Sequence, residues 1–197
     1  MIYEAIQIIS EQLNNYLSSH GLSNLVTLEN IALLETSGEN ADNLKNKVVL
    51  TLVNLSEETS MKNLPHYTVI DKNHTEYRNP PVHLNLYLLI SANCNTYTNS
   101  LRSISKTIEF FQGKKLFTSE NTVYETKEDF DVLEHFKLIT MLYTPTFEEL
   151  NYVWGTLGGR QLPSVIYKIQ LIEIDQKTLS GTGPVITNIT DTLIPIP

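Results

Sequence analysis

Apolar residues return at alternating steps of four and three in two long stretches of the chain. Ile2, Ile6, Ile9, Leu13 and Tyr16 make the first series, widened by Ala5 and Leu17. This period predicts an amphipathic helix over residues 2–20, closed by Gly21. Tyr97, Leu101, Ile104, Ile108 and Phe111 make the second series. They predict a helix over 96–112 that ends at Gly113 and lays its apolar stripe across a sheet. A shorter series, Phe147, Leu150, Val153, Trp154 and Leu157, follows Thr146 and Glu149. Those two residues have the spacing of a capping box, in which the hydroxyl accepts from the third helical amide and the carboxylate reaches back to the cap amide. Gly158 is then placed to end the helix in the left-handed conformation, and Gly159 keeps the corner compact. Pro163 marks a strand entry, where its missing amide costs no ladder bond.

Elsewhere the period falls to two or disappears. Residues 25–35 and 47–55 are short, rich in branched apolar residues and separated by turn residues, so both read as strands. In 47–55 both alternating sets are largely apolar, which predicts a strand inside the sheet and not at its rim. Val82, Leu84, Leu86, Leu88 and Ile90 share one face of a further strand, the face expected to meet the core, with His83, Asn85, Tyr87 and Ser91 on the other. Residues 132–143 predict another strand, with Phe136, Leu138 and Leu142 as core candidates. The strand after Pro163 carries Val165, Tyr167, Ile169 and Leu171 on one face and then shifts phase to Ile172 and Ile174, which predicts a bulge or twist near Leu171. Residues 56–81 read as a long polar loop with a short extended piece near His66–Ile70, and 114–130 as a polar connector anchored by Leu116, Phe117 and Tyr124. The sum is an α+β (or α/β) fold: a single domain with a mixed or mainly antiparallel sheet of about five strands and helices packed against it. The apolar, proline-containing segment 177–197 predicts an extended tail that folds back or lies on a neighbour.

Chemistry adds little to this picture. The glycine corner at 158–159 follows a helix, whereas phosphate loops precede one, and the carbonyl end of a helix repels anions. Net charge is −8 in 197 residues, which disfavours nucleic acid as a partner. The hydrophobic fraction of 41% supplies a core, yet no run is long enough to span a membrane and no signal-peptide pattern opens the chain. A soluble protein, cytoplasmic in the producing cell, is the expectation. Cys94 stands alone and beside no cation, so neither a disulfide nor an activated thiolate is expected. Sequons at Asn54, Asn73 and Asn188 carry no weight without a secretory signal. His66 and His74, with Asp71 and Glu76 nearby, lack a recurrent ligand spacing, and His135 reads as a structural or exposed strand residue. No nucleophile, zinc or dinucleotide motif is present, so no catalytic residue, cofactor or metal is assigned.

Three blocks do point to a family. NPPVHLNLYLLISA (79–92), SLRSISKTIEFFQ (100–112) and VWGTLGGRQLPSVIYKIQLIEID (153–175) resemble the cap, or tail-terminator, proteins of phage-tail-like contractile injection systems. The third is the most distinctive, joining Trp154-Gly155, Gly158-Gly159 and Pro163-Ser164-Val165. The likeness covers residues 1–176 as a terminator-like domain, followed by the tail. It implies a non-enzymatic assembly protein: a homohexameric ring that caps the distal end of the inner tube and anchors the terminal sheath layer within the assembled particle. Some relatives carry a further C-terminal domain. For such a ring, Arg102 and Lys106 on the polar side of the second long helix, Arg160 and Gln161 at the glycine corner, Tyr67 in the long loop, and Ile186 and Leu193 in the tail are the expected partner contacts. The rival readings are a small-molecule enzyme or ligand-binding domain using the His66–Glu76 region, and a phage tail-completion protein.

Overall fold

The computed structural model describes the chain outside residues 1, 23–25, 37, 59–66, 72–73, 80, 125–135, 175–178 and 184–197. Its frame is a mixed sheet in the order β1-β2-β5-β8-β7-β6, with a smaller sheet β3-β4-β9 beside it. The strands are β1 (Val26–Leu28), β2 (Lys47–Glu57), β3 (Tyr67–Asp71), β4 (His74–Arg78), β5 (Val82–Asn93), β6 (Leu116–Thr118), β7 (Lys137–Tyr143), β8 (Ser164–Ile174) and β9 (Leu179–Gly183). The helices are α1 (Ile2–Ser19), α2 (Glu39–Asp42), α3 (Tyr97–Gly113) and α4 (Phe147–Thr156), with a 3-10 turn at Ile31–Glu35. Only β1 and β2 run parallel; the other described pairs are antiparallel. The fold is α+β, with more strands than the sequence pattern suggests.

Helix α1 buries the face its period predicts: Ala5, Ile6, Ile9, Leu13 and Leu17 pack with Leu86, Leu88 and Ile90 of β5. The opposite face of the sheet is covered as well, as the two apolar faces of β2 require. Val49, Leu89 and Ile166 meet Ile31, Leu44 and Trp154 there. As expected, β2 lies inside the sheet, hydrogen-bonded to β1 and β5. The bulge near Leu171 is present in the β5–β8 register: Leu84 faces Ile172 but Leu86 faces Ile169, so β8 carries one extra residue.

Residues 25–35 are not one strand. Beyond β1 the chain turns, because the Asn30 side chain accepts from the Ala32 amide and the Thr51 hydroxyl accepts from the Ile31 amide at 3.0 Å. These bonds offer the backbone an alternative to a ladder. Nor is 56–81 a loop throughout: β2 runs on to Glu57, and β3 and β4 form a hairpin that β9 extends. Segment 179–183 of the expected tail is thus a paired strand. The connector contains β6, and the strand expected over 132–143 begins at Lys137.

The capping box at the start of α4 is complete, with Thr146 and Glu149 bonded reciprocally. Gly158 and Gly159 both have positive φ, and a Cβ on Gly158 would lie 2.8 Å from Glu35 Cγ. Because Thr146 supplies one side of the box, Thr146→Ala is expected to cost about 1 kcal/mol. Urea unfolding checks this, and a change within error of zero would show that the cap contributes nothing.

Candidate functional site

The second long helix forms where its period predicts, but turned about its axis. Its buried residues are Ser100, Ser103, Thr107, Phe110 and Phe111. The small hydroxyl residues let the helix lie close to the sheet and satisfy themselves locally: Thr107 donates to the Ser103 carbonyl, and Ser100 accepts from the Cys94 amide. Tyr97, Leu101 and Ile108 of the expected core stripe are therefore exposed. Two further core candidates join them on the surface, Leu142 near the end of β7 and Phe147 at the start of α4, which is 93% exposed.

These residues are neighbours. Tyr97, Ile108, Leu142, Phe147, Leu150 and Pro163 line an open groove of about 730 Å³. A second hollow of about 400 Å³ continues it along β7, sharing Ile108 and Leu142 and adding Met141. The groove sits at one end of the sheet, where β6 stops short of β7. The β6–β7 register runs only from Lys137 to Ile139, and the Thr140 amide makes a last bond to the Lys115 carbonyl at 2.9 Å. Residues Met141–Tyr143 remain paired with β8 on one side and have no described strand on the other. Main-chain groups two residues apart on a strand point the same way. The Thr140 amide faces outward to Lys115, so the Leu142 amide and carbonyl face the open side.

The expected partner contacts fall in different places. Gln161 lines the groove, and Arg160 is exposed just before it. Arg102 is exposed on α3. Lys106 instead joins a cluster in which it meets Glu109 at 2.6 Å, and Tyr16 of α1 also contributes to the Glu109 shift. The bond to Lys106 holds the Glu109 carboxyl below its ordinary range, and the Lys106 ammonium is raised chiefly by the same bond. Tyr67 lies in β3 opposite Tyr77. Ile186 and Leu193 lie outside the described residues, as do His66 and His135. A lowered carboxyl pKa stabilises above its unfolded value, and that contribution is lost as pH falls through the folded value. Lys106→Met is therefore expected to move the Glu109 titration upward in an NMR pH series. An unchanged midpoint would dissolve the cluster.

The periodicity of Leu142, Phe147, Tyr97 and Ile108 points to core, and Met141 carries no sequence signal of its own. The signal that could have reassigned the α3 residues is the run Ser100, Ser103, Thr107, a rival face made of small residues. Among the described residues no group of His, Cys, Asp and Glu stands ready to hold a metal ion, and no helix is long and apolar enough to cross a membrane. A third hollow of about 460 Å³ lies beside Leu28, Thr51 and Val153, with Glu29 as the one ionisable group among its described lining residues.

A family model described as the Pvc16 N-terminal domain matches residues 4–188. No curated protein matches. Among solved structures, the sheath/tube terminator of the PVC extracellular contractile injection system in its extended state is similar at TM-score 0.61 and 11% identity; the match covers 100% of this chain and 64% of that one. The tube-terminating cap of the anti-feeding prophage is similar at TM-score 0.61 and 10% identity, over 96% of this chain and 60% of that one. This chain thus spans less than two thirds of the length of either.

Proposed function

The chain belongs to the Pvc16 N-terminal domain family, whose model spans residues 4–188, and on that premise we propose that it is a tube and sheath terminator of a contractile injection system. It caps the distal end of the inner tube, anchors the terminal sheath layer and does so as a homohexameric ring. Its partners are further copies of itself and the tube and sheath proteins; nucleic acid and membrane are not among them. It works without catalysis, is made in the cytoplasm of the producing cell and is carried in the assembled particle.

The observation that carries this reading is the family match over nearly the whole described fold, supported by the shared fold of a sheath/tube terminator and a tube-terminating cap. The surface is compatible with it. A ring needs two different patches that dock head to tail with a rotation that closes. The sheet ends at β1 on one side and at β6 and the exposed part of β7 on the other, which supplies two unlike edges. Gold-labelled chain added to preassembled tubes is expected to mark tube ends and nothing else. Label along the sides, or none at the ends, would overturn the assignment.

A further inference from the structure

The outer edge of β6 is closed by its own chain. The Thr140 amide bonds the Lys115 carbonyl and the Ser119 amide bonds the Phe136 carbonyl, so Lys115, Phe117 and Ser119 turn their main-chain groups toward β7. Main-chain groups alternate in direction along a strand. Leu116 and Thr118 therefore face outward, at one end of the six-stranded sheet. Asn121 meets them there. Its Oδ1 accepts from the Thr118 amide at 2.9 Å, its Nδ2 donates to the Leu116 carbonyl at 3.0 Å, and its own amide donates to the Thr118 carbonyl at 3.2 Å. One residue thus takes three of the four outward groups of Leu116 and Thr118, making the contacts that another strand would make.

Asn121 is held from behind. Lys114, the residue that follows α3, donates to the Asn121 carbonyl at 3.0 Å, to Thr122 Oγ1 at 3.2 Å and to Gln12 Oε1 of α1 at 3.2 Å, which uses all its ammonium donors. Its Nζ also stands 4.8 Å from the Phe117 ring centroid. Gln12 in turn donates to the Val123 carbonyl at 2.8 Å. The turn is therefore tied to both long helices. Without it the edge would be a liability, because unpaired main-chain groups beside the exposed Leu116 and Val123 are a template for another strand. Every copy presents the same edge, and two such edges can pair antiparallel about a two-fold axis. The far end of the sheet carries the same kind of contact, with Asn14 Oδ1 of α1 accepting from the Val26 amide of β1 at 3.1 Å.

We propose that Asn121 is an edge guard: it occupies the outer side of β6 so that a second copy of this chain cannot add to the sheet there by main-chain pairing. Addition on this side of the sheet is thereby confined to Leu142, the outward residue of β7 that lies beyond β6. The guard is a property of the folded chain by itself and does not depend on the terminator reading.

Weight-average mass is measured by analytical ultracentrifugation for the full chain and for Asn121→Ala over a concentration series, with circular dichroism to confirm the fold. The alanine variant is expected to reach at least about twice the parent's mass and to rise with concentration. Adding Leu116→Pro to it removes the remaining outward amide and costs no bond to β7, so the parent's mass is expected to return. Thr146→Ala, the loss of a side-chain cap on α4, is expected to leave the mass unchanged. If alanine unfolds the chain, Asn121→Ser, whose shorter side chain cannot bridge Thr118 and Leu116, carries the same expectation. A folded Asn121 variant with the parent's mass would overturn the proposal. So would association that Thr146→Ala reproduces, which would trace it to lost stability, or association that Leu116→Pro leaves in place, which would put it at another surface.

Discussion

Replacing Phe111 with alanine is expected to lower the unfolding free energy by about 3–5 kcal/mol. The ring is 2% exposed and stands where α3 meets the sheet, with its centroid 4.9 Å from Phe110, 6.5 Å from Phe117 and 4.2 Å from Tyr167. The rest of the buried face of α3 is Ser100, Ser103 and Thr107 beside Phe110. Those hydroxyl residues remove little apolar surface from water, so the two phenylalanines carry most of the docking. Phe111→Leu fills part of the space and is expected to lose less. Burial also raises the Tyr167 phenol above its ordinary range, and opening a cavity beside it is expected to bring that titration down. Urea unfolding of the two variants measures the first effect and ultraviolet titration the second. A loss below about 1 kcal/mol for Phe111→Ala would mean that α3 is held by something other than this cluster.

On the other face of the sheet, Trp154→Ala is expected to cost a similar amount, about 3–5 kcal/mol, while Trp154→Phe is expected to cost far less. Trp154 is the large residue of α4 that reaches the core, packed with Val49, Leu89 and Ile166. Its Nε1 is buried and finds no hydrogen-bond partner among the described residues. An orphaned donor costs about 1–3 kcal/mol. Phenylalanine removes that donor along with part of the ring, so the two changes oppose each other. Alanine removes everything and leaves a cavity. Equal losses for the two variants in urea unfolding would show that the indole nitrogen is satisfied.

The elements legible in the sequence are those decided by local chemistry. Thr146 and Glu149 stand at fixed spacing, and their capping box follows from that alone. Gly158 and Gly159 have φ of 104° and 81°, conformations that favour glycine and so announce themselves. The bulge in β8 shows in sequence because side chains alternate on a strand, and an extra residue reverses the alternation. What stayed hidden depends on distant partners. The period of α3 fixes a helix with an apolar stripe, but whether the stripe or the small-residue face is covered depends on how closely the sheet approaches. Ile31 turns away from a ladder because Thr51, far along the chain, accepts its amide. β3, β4 and β9 pair across residues that have no local period. The groove is illegible for the same reason: Leu142 and Phe147 look like core until β6 is seen to stop before reaching them. Of the expected partner contacts, Gln161 lies in the groove, while Lys106 belongs to the cluster with Glu109.

If the chain terminates a contractile tube, as proposed, the length distribution of injection particles depends on it. Particles produced with and without the chain are imaged by electron microscopy, and tube length and sheath retention are scored. Termination predicts uniform tubes with a retained terminal sheath layer when the chain is present, and tubes of variable length with sheath lost from the distal end when it is absent. Tubes of unchanged, uniform length with a full sheath in its absence would show that something else terminates them.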